Sequence, residues 1–214
     1  MADLREITES LDDYLRVDRV PDYPGAMNGL QVEGRSPIER VAAATDAALA
    51  TIEAAAEREA QLLLVHHGLF WGDPRPVTGP TYRRFRALFD ADMAVYSAHL
   101  PLDVHEEVGN NVLLADALGL PVEGRFGTYE ELEGLGVWSA VDLSRDELVD
   151  RVVDSCGGSP TVIPGGPSHV RRVGVVTGGG GSMLGAADAA GLDTFITGEG
   201  KHHTYHEALE LGLN

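Results

Sequence analysis

The chain has one cysteine, one lysine and no long apolar run, and each shortage closes off a class of protein. Cys156 alone excludes an internal disulfide framework and points to a reducing, cytoplasmic compartment. No segment reaches the roughly 20 apolar residues that a membrane helix needs. The N-terminal MADLREITESLDDYL has neither the basic start nor the apolar centre of a secretion signal. The expectation is therefore a protein without a membrane partner. The glycine run Gly178–Gly181 is not followed by the lysine of a P-loop, since Lys201 is the only lysine. Met183 and Leu184 stand where the third glycine of a dinucleotide fingerprint belongs, so a tight strand-to-helix turn is the simpler reading. No G-x-S-x-G elbow occurs, which leaves serine-hydrolase chemistry unsupported.

What is present is enough apolar material for real cores. The 214 residues are 43% hydrophobic, which suits one large domain or two small ones. The charge is strongly acidic, with 34 Asp and Glu against 16 Lys and Arg and a formal net charge of −18. The acids are spread along the chain rather than blocked, the pattern of a solvated, halophilic surface whose self-repulsion is screened by salt. Such a charge argues against nucleic acid as a partner, because displacing counterions from a phosphate backbone takes basic stripes.

The hydrophobic spacing predicts strands alternating with helices. Leu4, Ile7, Leu11 and Leu15 mark a helix over residues 3–16, with Asp3 as N-cap and Glu6 three residues on as in a capping box. Val41–Thr45 reads as a strand, and Asp46 opens an alanine-rich helix to about Glu59. Gln61–Val65 is a continuous apolar strand, Tyr82–Phe89 a helix, Met93–Ser97 a strand and Asn110–Leu118 a helix closed by Gly119. In the second half, Gly134–Val141 and Val170–Thr177 read as strands, Ser144–Cys156 as a helix boxed by Ser144 and Glu147, and Thr194–Thr197 as the last strand. The fold class expected is α/β, two lobes with largely parallel or mixed sheets built on βαβ units, divided into residues 1–120 and 121–214. The segment from Arg40 to Gly68 superposes without gaps on that from Arg172 to Gly200, an internal echo that matches His67 with Glu199.

Three clusters carry chemistry. His66 and His67 end an apolar strand directly, where adjacent side chains point to opposite sides and each imidazole can reach a different metal, or one metal and one substrate. The alternative is a pair of strand-end histidines bonded to loop backbone. His99 and Asp103 end the next strand, at the edge where parallel α/β sheets gather ligands. Asp103 is the better ligand of the two, and His99 equally suits a supporting or proton-accepting role. His105 reads as a solvated helix start, and Asn111 as turn and cap chemistry. The third cluster, Glu199 with His202, His203, His206 and Glu207, reads as a polar helix start lining a cleft. His202 and His206 share a helix face, yet His203 stands where an H-E-x-x-H motif has its glutamate. The donors suit zinc, iron, manganese or nickel.

Asn28-Gly29-Leu30-Gln31-Val32, His66-His67-Gly68-Leu69-Phe70-Trp71, Tyr96-Ser97-Ala98-His99, Leu102-Asp103, Gly109-Asn110-Asn111 and Thr197-Gly198-Glu199 with His202-His203 occur in one order along the chain. In this combination the sequence resembles the Nif-three-like dinuclear-metal-centre hexameric proteins, labelled GTP cyclohydrolase I type 2 homologues. The resemblance implies two facing α/β lobes with two divalent metal ions in the cleft between them, and a homohexamer assembled as a trimer of dimers. It implies that His66, His67 and Asp103 are metal ligands, the two histidines serving different ions. It also places a further histidine and glutamate ligand beyond Asn214. The reading that follows is a metal-dependent hydrolase of a small nucleotide-like or phosphorylated substrate, with His99 or Glu199 as general base. The alternative is a non-enzymatic metal-binding ring, a scaffold or regulator.

Overall fold

A computed structural model describes residues 2–72 and 74–214. The chain divides into two compact units, Met1–Leu102 and Asp103–Asn214. The division falls before the helix at residues 110–117, because Ala115, Leu118 and Leu120 pack into the core of the second unit. Among the described residues no helix is long and apolar enough to cross a membrane.

The first unit contains α1 (Leu4–Leu15), β1 (Gly29–Val32), β2 (Val41–Asp46), α2 (Leu49–Glu57), β3 (Leu62–His67), α3 (Gly79–Ala91) and β4 (Ala94–Ser97). Its sheet has the order β1-β4-β3-β2, with β2, β3 and β4 mutually parallel and β1 antiparallel at the edge. Strand residues alternate between faces. Leu63, Val65 and Val95 therefore meet Ile52 and Ala55 of α2 and Leu88 of α3 on one face. On the other, the buried Tyr96 reaches α1 and donates its hydroxyl proton to Asp12 at 2.8 Å. Burial of the phenol, and then the bond to Asp12, push the Tyr96 pKa far upward. Asp3 caps α1 by accepting from Arg5 N–H at 2.9 Å, as expected. The reciprocal partner is Ser36, not Glu6: its hydroxyl donates to Asp3 at 2.9 Å and accepts from Leu4 N–H at 3.2 Å.

A short helix, α4 (Leu100–Asp103), leads into the second unit, which contains α5 (Asn110–Ala117), β5 (Gly124–Tyr129), β6 (Leu132–Ser144), α6 (Arg145–Cys156), β7 (His169–Val176), α7 (Leu184–Ala189), β8 (Thr194–Thr197) and α8 (His202–Leu211). Its sheet runs β5-β6-β7-β8, and only β7 and β8 are parallel. The antiparallel majority comes from β6, which pairs with β5 in a hairpin and with β7 on its other side; the hydrophobic pattern did not reveal β5. The Ser144–Glu147 box forms as read: Glu147 N–H donates to the serine hydroxyl at 3.2 Å, and its carboxylate accepts from Ser144 N–H at 2.7 Å.

The internal echo is present in the pairing. Val41 pairs with Leu62 and Ala44 with Val65 in the first unit; Val173 pairs with Thr194 and Val176 with Thr197 in the second. All four registers keep the spacing seen between Arg40 and Arg172. Each unit thus holds one β-strand, helix, β-strand repeat with the same parallel register.

Candidate metal centre

The site of the first unit is a product of strand pairing. Leu62 sits beside Ala94 and Val65 beside Ser97, so β4 ends level with Val65 while β3 runs two residues further, through His66 and His67. The backbone stays in step for one residue more, with Ala98 N–H donating to Val65 C=O at 3.0 Å. His66, His67 and His99 therefore leave the same edge together. Their ring centroids lie 4.7 Å (His66–His67), 4.9 Å (His66–His99) and 5.6 Å (His67–His99) apart. One nitrogen from each ring lies within 4.8 Å of the other two. Adjacent strand residues should diverge, but at the strand's end these two converge with a third ring.

Two carboxylates back the rings from behind. Asp46 Oδ1 is 2.7 Å from His67 Nδ1, and both side chains are partly exposed. Asp46 is the last residue of β2 and pairs directly with His67. It does not open α2, as its sequence context had suggested; that helix starts at Leu49, where the Thr51 hydroxyl accepts from Ala48 N–H at 3.0 Å. Asp22 Oδ1 is 2.8 Å from His99 Nδ1. This second carboxylate is buried, its side chain only 5% exposed. Its Oδ2 accepts from Asn28 Nδ2 at 2.8 Å and Leu100 N–H at 3.0 Å, and Oδ1 also accepts from Tyr23 N–H at 2.7 Å. Asn28 Oδ1 in turn accepts His99 N–H at 2.8 Å. Burial alone would raise the Asp22 pKa. The bonds from His99, Asn28 and Tyr23 outweigh it and hold the carboxyl below its ordinary 3.8.

Aromatic rings form the rim. Trp71 meets His99 edge to face at 4.9 Å and His67 at 5.7 Å, anchored by its indole N–H on Gly68 C=O at 2.9 Å. Tyr23 lies 5.5 Å from His99. The loops carrying these rings touch at two glycines: a Cβ on Gly25 would sit 2.6 Å from Gly72 Cα, so only glycine allows the approach. A Cβ on Gly68 would likewise strike the Gln31 side chain, whose Oε1 accepts Leu69 N–H at 2.6 Å.

The donor set fits a transition metal. Ligand nitrogens on a tetrahedral zinc stand about 3.4 Å apart for bonds of about 2.05 Å. The ligand nitrogens of His66, His67 and His99 lie within 4.8 Å of one another, near enough that the group could hold an ion. Carboxylates on the far nitrogens are the usual support for metal-bound imidazole.

Of the five residues singled out from the sequence as ligands or catalytic groups, the structure gathers His66, His67 and His99. The other two belong to the second unit. Asp103 is buried and accepts from Asn110 Nδ2 at 2.7 Å. Glu199 follows β8, exposed, with its N–H donating to Gly178 C=O at 2.9 Å. His105 is not solvated: it is buried, and its Nδ1 accepts from Glu107 and Val108 N–H at 3.2 Å each. Asn111 is a brace, with Nδ2 donating to Leu135 C=O and Oδ1 accepting from both Thr177 N–H and its hydroxyl. His202 and His206 share an exposed face of α8, their rings 5.9 Å apart. Sequence reasoning missed Asp22, Tyr23 and the rim position of Trp71.

Residues 2–214 match the family described as Duf34/NIF3 (NGG1p interacting factor 3). The chain belongs to the DUF34/NIF3 family. Among its relatives is the GTP cyclohydrolase 1 type 2 homolog of Deinococcus radiodurans, 43% identical over 98% of this chain and 79% of its own length. The homolog of Halobacterium salinarum is also 43% identical, over 99% of this chain and 85% of its own. Among solved DUF34/NIF3 neighbours, TTHA1606 from Thermus thermophilus superposes with a TM-score of 0.88 at 41% identity, covering 99% of this chain and 84% of that one.

Proposed function

We propose that this DUF34/NIF3 protein is a cytoplasmic, metal-dependent hydrolase of a small phosphorylated or nucleotide-like molecule. The observation that carries the reading is the convergence of three imidazoles at one strand edge, two of them backed by carboxylates. His66 and His67 would hold metal, with Asp103 adding a carboxylate ligand. Zinc, iron, manganese and nickel all suit imidazole and carboxylate donors, and two ions per subunit match the family resemblance. A bound ion would supply Lewis acidity toward the scissile group and toward water. His99, with Asp22 on its Nδ1, presents Nε2 as a proton acceptor; Glu199 is the second candidate for that role. The names of the relatives support a nucleotide-like substrate. A homohexamer, a trimer of dimers, is the assembly we assign, to be checked by light scattering. The acid excess and single lysine support a halophilic protein, as does the relative from Halobacterium salinarum.

The test is a panel of nucleotides and phosphoesters offered to metal-reconstituted protein beside a His66→Ala variant. Turnover in the parent, lost in the variant, is expected. Tight metal binding with no turnover across the panel would replace the hydrolase with a metal-binding scaffold.

A further inference from the structure

Among the groups around the three rings, Asp22 has no role in anything argued from the sequence, and its surroundings are specific. It lies in the loop between α1 and β1, its carboxylate buried; three of its four near contacts, the Tyr23 N–H, the Asn28 amide and the Leu100 N–H, are donors, and the fourth is His99 Nδ1. An ionised carboxylate can only accept hydrogen bonds. The nitrogen facing it must therefore carry the proton, and the other ring nitrogen is left as a lone pair. We propose that Asp22 is a positioning residue that holds His99 in the Nδ1–H form and thereby presents its Nε2 lone pair to His66 and His67. The claim rests on the reading of this edge as a functional centre, in which Nε2 must be free to bond an ion or take a proton.

The geometry separates this role from simple loop bracing. Bracing is the work of Oδ2, which takes the Asn28 amide and the Leu100 N–H, of the Tyr23 N–H on Oδ1, and of Asn28 Oδ1, which takes the His99 backbone N–H. The imidazole is reached only through Oδ1. Asp22→Asn is isosteric, and its single remaining oxygen goes to the Oδ2 side, where two fixed donors converge, against the one fixed donor, Tyr23 N–H, on the Oδ1 side. The amide NH2 then faces His99 Nδ1, and a donor there forces the ring into the opposite tautomer, with its proton on Nε2. Asp46 stands in the same relation to His67, but its side chain is 61% exposed. Water competes for that contact, so Asp22 holds the firmer grip of the two.

The experiment is 15N–1H correlation NMR of the imidazoles in metal-free protein at about pH 8.5, where unperturbed histidines are neutral. For His99 in the parent chain, Nδ1 should resonate as the protonated nitrogen and Nε2 as the unprotonated one. In Asp22→Asn the two assignments should exchange, and in Asn28→Ala they should stay as in the parent. A parent spectrum with the proton on Nε2 would overturn the proposal. So would an Asp22→Asn spectrum unchanged from the parent, or an exchange in Asn28→Ala, which would assign the effect to the loop. If Asp22→Asn does not fold, the parent spectrum decides alone. Because no metal and no substrate enter the sample, this test and the substrate panel fail separately.

Discussion

The two units carry the same strand-helix-strand repeat in the same register, yet one ends in imidazole and the other in carboxylate. In the first, β3 runs into His66 and His67, and β4 ends beside it to add His99. In the second, β8 runs into Gly198 and Glu199, and its sheet neighbour is β7. The parallel pair is the common frame; the residues just past its end decide what each copy can do. A repeat fixes position along a sheet edge and leaves the chemistry of that position to vary.

That contrast can be broken most directly at the strand ends. His66→Ala should weaken zinc binding by more than the roughly 10–100-fold that losing a mere supporting partner costs. Glu199→Ala should leave that affinity within a few-fold. Calorimetric titration of both variants reads the difference, and equal losses would mean the copies are not specialised. A smaller effect separates the cores. Leu63→Ala in the first and Leu148→Ala in the second remove buried leucines, each costing about 2–5 kcal/mol. Hydrogen exchange should then loosen β3 and β4 in one variant and β6 and β7 in the other; identical patterns would show a single cooperative unit.

Much of this contrast was legible beforehand, and the omissions have physical causes. Leu62–Val65 is an unbroken apolar run, so its strand and the histidines after it stand out. The strand at Gly124–Tyr129 does not: Gly124 and Gly127 interrupt the alternation, and the register slips between Phe126 and Thr128. Asp46 has the composition of a helix cap, with a place facing the cleft as the weaker reading, and its pairing and bond with His67 show that it serves that ring. Asp22 lies far from His99 along the chain and follows no period; a contact of that kind leaves no local signal. His105 looked solvated because Glu106 and Glu107 follow it, but the turn folds the Glu107 and Val108 N–H groups onto its ring.

Two finer tests remain, both in the second unit. Ser144→Ala should cost about 1 kcal/mol through loss of the α6 cap, read by thermal unfolding. No comparable effect is expected at Glu6 of α1, where Ser36 supplies the partner. The Glu147 carboxyl is held below its ordinary 4.5 by the Ser144 backbone and then hydroxyl bonds. A lowered folded pKa gives stability that is present above 4.5 and lost as pH falls through the folded value. Unfolding of the parent should therefore show an acid-side slope in that window that Glu147→Gln lacks, the smallest of the four effects.

The alignment of β3 with β4 also has a consequence for timing. Hydrophobic burial sets that alignment, and a slip of one residue would send Tyr96 to the wrong face of the sheet and swing His99 away with it. The three rings are thus delivered by the act of folding. An ion held by such an edge would meet donors that strand pairing gathers, and its affinity would not be spent on gathering them.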